Sequence, residues 1–173
     1  MPLPSETQPD PITATYRRIR AILLGHGGFT AIVNPGNFPD MSLPAFSQIK
    51  PNVQPGDLPE VLLFQSGFRM LLFGRNSLSC EIVQTFDLVT TIDKLQVTPL
   101  NAVKWQSFVA LSAGGIDLGL PGLVRDWMLQ DGADDAFGQA QWKRDTLRYV
   151  SMIRIVTTLS IPRQTVLSLH LPQ

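Results

Sequence analysis

The fold of this chain is decided by residues 79–132, which read SCEIVQTFDLVTTIDKLQVTPLNAVKWQSFVALSAGGIDLGLPGLVRDWMLQDG. Residues 79–93 alternate in polarity and are rich in β-branched side chains, which is typical of a half-buried antiparallel strand. One face carries the apolar residues Cys80, Ile82, Phe86, Leu88 and Ile92. A strand of this length would span about 50 Å, so we expect a bulge or bend near Gln84, unless the strand projects beyond its own domain.

A helix is predicted directly after this strand. Thr98 and Pro99 indicate its start, because threonine caps helices and proline fits the first turn, while Gly114 and Gly115 indicate its end. The apolar stripe of the helix is broadened by Trp105. We therefore expect cover on two sides, from a sheet and from a neighbouring subunit.

The rest of the chain predicts one more helix and several strands. Asp10 and Pro11 open that helix, which ends at residues 25–28, GHGG. Strands are predicted over residues 29–33, 60–65, 68–73, 123–130 and 146–161. The fold class is therefore α+β, with two helices packed on a mainly antiparallel β-sheet.

A single domain is predicted over residues 10–161, with an arm at each end. Residues 1–9 contain three prolines and are interpreted as a flexible arm, and residues 162–173 are interpreted as an extended arm. Within the domain, residues 34–59 show no periodicity and are rich in proline, asparagine and glycine. They predict a long irregular loop, a feature that often contacts partners.

The composition favours self-association. Charged residues make up 16% of the chain and the formal net charge is zero, whereas ordinary globular chains have about 25% charged residues. Little self-repulsion therefore opposes assembly. The last strand is apolar on both faces, so one of its covers is expected to be another copy. The candidate subunit-interface residues are Trp105, Phe108, Trp127, Met128, Tyr149 and Met152.

No group of residues in the sequence predicts catalysis, a cofactor site or a metal site. His26 lies in a helix stop, where a capping role is expected, and His170 has no second histidine or cysteine nearby to complete a zinc site. The acidic stretch 131–135 lacks the spacing of a calcium loop and predicts a solvated hairpin tip. Cys80 is expected to be a small buried apolar residue. We therefore expect a protein that is not an enzyme.

The basic residues form one cluster. Arg17, Arg18 and Arg20 are the candidate residues for facing a lumen or DNA, although a neutral chain is a poor nucleic-acid binder by itself. No apolar run approaches the ~20 residues of a membrane span. The first nine residues lack the apolar core of a signal peptide, so synthesis inside a cell and no membrane partner are expected.

Several short stretches, taken in order, resemble one protein family. They are LPEVLLF (58–64), TFDLV (85–89), PLNAV (99–103), LGLPGLV (118–124) and WMLQDG (127–132). Their order along residues 12–161 resembles the small tail-terminator and neck (head–tail joining) proteins of tailed bacteriophages. The chain departs from that family's pattern at Leu120-Pro121, where the family has a second glycine, and in its longer loop after Phe29.

The resemblance implies a non-enzymatic virion subunit. It would form a ring, expected to be a hexamer, at the head-proximal end of the tail, where it ends the tube and joins it to the neck. Its partners would be further copies of itself, the tail tube protein, connector proteins and DNA passing through the lumen. A different virion component, such as a tube, baseplate or head-completion protein, is an alternative. A small enzyme or ligand-binding domain is a further one.

Overall fold

The computed structural model describes residues 10–41, 59–71, 79–93, 98–131, 141–143 and 148–162. These residues form, in chain order, α1 (Pro11–Gly25), α2 (Gly27–Thr30), β1 (Glu60–Leu71), β2 (Ser79–Asp93), α3 (Thr98–Ala113), β3 (Val124–Asp131), β4 (Gln141–Lys143) and β5 (Arg148–Pro162). The predicted α+β class is confirmed. The expected terminal arms, most of the proline-rich loop, the acidic stretch after Asp131, and His170 lie outside the described residues.

The strands form one antiparallel sheet in the order β1-β2-β5-β3, and β4 pairs with the start of β5. β2 pairs with β5 along its whole length, from Ser79 opposite Pro162 to Asp93 opposite Arg148. The long alternating stretch identified in the sequence is therefore one of two central strands.

The prediction of a bulge near Gln84, within β2, was wrong. The pairing of β2 with β5 has no register shift; the irregularities lie in β1, between Gln65 and Gly67, and in β3, between Val124 and Asp126. A bulge places one extra residue in one strand of a pair, and in β1 that residue is Ser66. The two short strands predicted on either side of it are consequently one bulged strand, β1.

One face of the sheet, here called the inner face, packs against the helices. It carries Ile82, Phe86 and Leu88 of β2 and Ile155 and Leu159 of β5. These residues join α1 and α3 in a single core cluster that includes the helix residues Tyr16, Ile19, Leu23, Val103 and Leu111. Full burial of each such side chain contributes roughly 1.5–3 kcal/mol before conformational entropy is counted. This cluster is what fixes both long helices on the same side of the sheet.

The opposite face, here called the outer face, carries an ion pair at its centre. Asp87 of β2 lies directly opposite Arg154 of β5, and the guanidinium binds both carboxylate oxygens at 2.8 and 3.3 Å. The Asp87 side chain is only 6% exposed. Of the described residues, the core cluster includes none from this face.

The start of α1 agrees with the sequence prediction. Asp10 is the N-cap, and its carboxylate accepts hydrogen bonds from the Thr13 backbone N–H at 2.9 Å and from the Thr13 hydroxyl at 2.8 Å. Partial burial raises the pKa of Asp10, but these hydrogen bonds outweigh that effect and hold the pKa below its usual value. The cap therefore stabilises α1 while Asp10 is ionised.

The capping role expected of His26 is confirmed, but the strand predicted after it was wrong. His26 caps both α1 and α2, and its Nδ1 accepts from the Phe29 backbone N–H at 3.3 Å. Residues 29–33 form the end of α2 and a turn, in which Phe29 and Val33 are buried. In a strand Ala31 would share the buried face of Phe29 and Val33, but Ala31 is exposed, as a helical turn places it.

A glycine-rich turn connects α3 to β3. Leu118, Gly119 and Gly122 have φ values of 54°, 69° and 76°. Leu118 is fully buried in the core despite this unfavourable backbone conformation, and its carbonyl accepts a hydrogen bond from Arg18 Nε at 2.7 Å. The turn is therefore fixed by contacts with α1, far away in the sequence.

Alanine substitutions at two glycines of this turn should show how much stability is lost through backbone strain and how much through a steric clash of the new Cβ. A Cβ at Gly119 would lie 2.6 Å from Arg18 Nη2, whereas a Cβ at Gly122 meets nothing within 4 Å. We expect Gly122→Ala to cost about 1 kcal/mol through strain alone, and Gly119→Ala about 2 kcal/mol. Urea denaturation measures both values. Equal losses would show that Arg18 moves aside freely.

Candidate subunit interface

Helix α3 presents two aromatic residues to solvent. Its inward side is buried by Val103, Ser107 and Leu111, with the Ser107 hydroxyl bonded to the Val103 carbonyl at 2.7 Å. On the outward side Trp105 is 61% exposed and Phe108 is 45% exposed. The helix is thus apolar over a wider arc than its own chain covers, as the sequence indicated.

The two exposed rings of α3 form one contact. The centroids of Trp105 and Phe108 lie 5.8 Å apart with an interplanar angle of 36°, which is a favourable separation for an aromatic pair. We call these two residues the aromatic pair. Tryptophan is enriched among the residues that dominate binding energy at protein interfaces. The aromatic pair is therefore an exposed apolar patch of the kind that protein interfaces bury.

Strand β3, at one edge of the sheet, positions the next two candidate residues on opposite faces. Trp127 packs against the core on the inner face, and its Nε1 donates to the Gly115 carbonyl at 2.8 Å. Met128 points to the outer face and is 53% exposed. Trp127 thus fastens β3 to the end of α3, and Met128 is available to a partner.

The last two interface candidates belong to the central strand β5. Met152 lies on the outer face opposite Val89 and is 4% exposed within the single chain. Its side chain is therefore below the surface, where a second copy would not reach it without rearrangement. Tyr149 pairs with Ile92 across the sheet, and its side chain is outside the described part of the chain.

The three arginines of α1 point in different directions. Arg18 donates to the Leu118 carbonyl, and Arg20 donates to the Phe38 carbonyl at 2.7 Å with its guanidinium 5.3 Å from the centre of the Phe38 ring. Arg17 is exposed. Two of the three guanidinium groups thus hold neighbouring segments onto α1. Contact of this cluster with DNA stays a prediction.

Groups with potential chemistry are separated from one another in the described structure. Across those residues, no three histidine, cysteine, aspartate or glutamate side chains come together as metal ligands would. Cys80 is buried, and burial together with nearby Glu81 raises the pKa of its thiol, which matches the expected apolar role. His26 lines an open cleft of about 260 Å³, and the described lining of that cleft contains no acidic residue.

These observations define a class of protein: a two-layer α+β domain with its helices on one face of an antiparallel sheet and an exposed aromatic pair on one helix. No protein-family model and no curated protein matches the chain. Among the described helices, none combines the length and apolarity that crossing a membrane requires.

Proposed function

We propose that this protein is a structural subunit of a tailed bacteriophage virion. In this proposal, copies of the chain close into a ring, expected to be a hexamer, at the head-proximal end of the tail. The ring ends the tail tube and joins it to the neck. The proposal is supported by the order of sequence stretches that resembles tail-terminator and neck proteins, and by the exposed apolar surface of the folded chain.

The single observation that carries this proposal is the aromatic pair. Trp105 and Phe108 are large, adjacent and exposed on a chain with 16% charged residues and no net charge. Burying such rings against another protein removes apolar surface from water, and long-range charge repulsion does not oppose the contact. Exposed apolar rings and a lack of net charge are both properties that suit a structural subunit with permanent neighbours.

A closed ring requires two different surfaces on each subunit. In a head-to-tail contact, one patch of a subunit meets a different patch of the next, and the assembly closes when the rotation per subunit allows it. The aromatic pair on α3 supplies one apolar patch, and Met128 at the β3 edge supplies an exposed apolar side chain on the opposite face of the sheet. This arrangement supplies the two different patches that a ring requires.

Two other functions remain as alternatives. A tail tube protein would use the same kind of surface but would polymerise without a fixed end. A ligand-binding or enzymatic domain would need titratable groups that converge in a pocket, and the described lining of the His26 cleft adds only Arg18 to the histidine. The copy number of the purified assembly distinguishes the first alternative from the ring.

Native mass spectrometry and electron microscopy of the purified full-length chain test the proposal. We expect closed rings of one copy number. The variant Trp105→Asp/Phe108→Asp should remain folded by circular dichroism and run as a monomer, because a buried unpaired carboxylate opposes contact. Ala21→Asp, which adds one carboxylate instead of two at an exposed position of α1, is the control for added surface charge and should still form rings.

Three other results would each contradict a specific part of the proposal. Dispersed monomers of the unsubstituted chain at high concentration would overturn ring formation. Tubes that grow without limit would favour the tube alternative. Rings that persist in the aspartate variant would show that the aromatic pair lies outside the interface.

A further inference from the structure

A groove follows the free edge of β1. It has a volume of about 510 Å³ and lies between the first turns of α1 and the strand. The described residues that line it are mainly apolar: Ile12, Thr13, Tyr16, Met41, Leu62, Phe64 and Gln65. This volume is within the range of ~300–1,000 Å³ that is usual for ligand-binding clefts.

The wall that β1 supplies is a sheet edge. β1 is the end strand of the sheet, and in the described part of the chain it pairs only with β2. The backbone N–H and C=O groups along such an edge can pair with an added strand. An edge strand beside apolar pockets is the arrangement that binds extended peptides, since the backbone supplies hydrogen bonds and the pockets accept alternate side chains.

The sequence of this chain contains one segment suited to that groove. Residues 165–171 read TVLSLHL, with Leu167, Leu169 and Leu171 at alternate positions. Residues 163–171 contain no proline and one charged residue, Arg163, whereas residues 1–9 and 42–58 contain three prolines each. Proline lacks the N–H that a strand ladder needs, so the C-terminal segment fits the groove best.

Distance decides whether this segment comes from the same chain. β5 ends at Pro162, opposite Ser79, while the groove residues Gln65 and Leu62 are opposite residues 86 and 89 of β2. Measured from Pro162 along the strands, the groove begins seven residues away, or about 23 Å. Measured across the strands, from β5 past β2 and β1, it lies three strand spacings away, or about 14 Å. The straight-line distance from Pro162 is at least about 27 Å by these spacings.

Of the three leucines in this segment, Leu167 and Leu169 cannot cover that distance from Pro162 of their own chain, whereas Leu171, nine residues on, reaches about 32 Å and can. Leu169 follows Pro162 by seven residues, which reach no more than about 25 Å when fully extended. Leu167 reaches even less far. Leu167 and Leu169 can therefore occupy the groove only when the segment comes from another molecule.

We propose that residues 163–173 of one copy bind as an added strand in the β1 groove of a second copy. The exchange joins neighbouring subunits through backbone pairing and through Leu167 and Leu169, independently of the aromatic pair. It rests on the self-association that the proposed function also requires, and it names the second contact between subunits.

Cross-linking between two full-length variants tests this exchange. Gln65→Cys and Ser168→Cys proteins are mixed and treated with a short bis-maleimide, and linked peptides are identified by mass spectrometry. Gln130→Cys on β3, the opposite edge strand, replaces Gln65→Cys in the matched control, since both glutamines are exposed. The native Cys80 is 1% exposed and should not react. We expect at least tenfold more 65–168 link than 130–168 link.

The results separate this proposal from the ring. A 65–168 link found in dimers or open chains without rings would support the exchange and overturn the proposed function. Rings without that link, or with an equal 130–168 link, would overturn the exchange and leave the ring intact. In a double-cysteine protein at high dilution, an abundant intramolecular 65–168 link would overturn the exchange, because it would show that the chain's own tail occupies the groove.

Discussion

Replacement of Phe86 with alanine is expected to lower the free energy of unfolding by about 3–5 kcal/mol, the range for phenylalanine in a packed core. Phe86 is fully buried at the middle of β2, opposite Ile155, and its ring centroid lies 6.4 Å from that of Tyr16 on α1. The substitution leaves a cavity where the sheet meets the helix. Because domains of this size are stable by only ~5–15 kcal/mol, much of the native stability would be lost.

The control for this prediction is Phe68→Ala. Phe68 belongs to β1 and is 58% exposed, so the same truncation should cost no more than about 0.5 kcal/mol. Urea denaturation of both variants at one protein concentration provides the comparison, since assembly makes stability depend on concentration. Similar losses for the two variants would contradict the burial of Phe86 between the sheet and α1.

Replacement of Arg154 with methionine is expected to be the second most damaging change. It removes the guanidinium that lies 2.8 Å from the Asp87 carboxylate and leaves that carboxylate buried without its cation. Breaking a buried ion pair costs about 3–5 kcal/mol, and we expect the lower end because Arg154 is partly exposed. Chemical denaturation at neutral pH measures the loss.

A double variant shows whether the loss comes from the unpaired charge. Arg154→Met combined with Asp87→Leu should recover most of the stability, because replacing both charges with apolar groups removes the desolvation penalty. Arg125→Met is the control: Arg125 pairs with Glu81 and Asp126 at an exposed position, so its removal should change little. If the stability lost in the double variant equalled the sum of the losses in the two single variants, direct coupling between Asp87 and Arg154 would be contradicted.

Features set by neighbours in the sequence were predictable. The alternation in residues 79–93 identified β2 and its apolar face, and Asp10 with Pro11 marked the start of α1. His26 was assigned a capping role from its place in a glycine-rich stop. Each of these depends on backbone geometry within a few residues. The sequence also indicated that α3 is apolar beyond one face, which the exposed Trp105 shows.

Features set by distant contacts were not predictable. The turn at residues 29–33 has too few residues for its period to be read reliably, and burial of Phe29 and Val33 against the core decides its shape. The role of Arg18 depends on the Leu118 carbonyl, one hundred residues away. No local signal in the sequence marks either contact.

The sequence by itself determined the two long helices, the long strands β2 and β5 and which side of β2 is apolar, because side-chain periodicity and caps act over single turns and pleats. Only the tertiary structure decided that β5 lies between β2 and β3, that a bulge lies in β1, and that Met152 is buried while Met128 is exposed. The physical reason is that strand order, register and burial depend on packing among elements far apart in the chain. The aromatic pair and the β1 groove likewise depend on such packing, so only the tertiary structure identifies them as two separate surfaces.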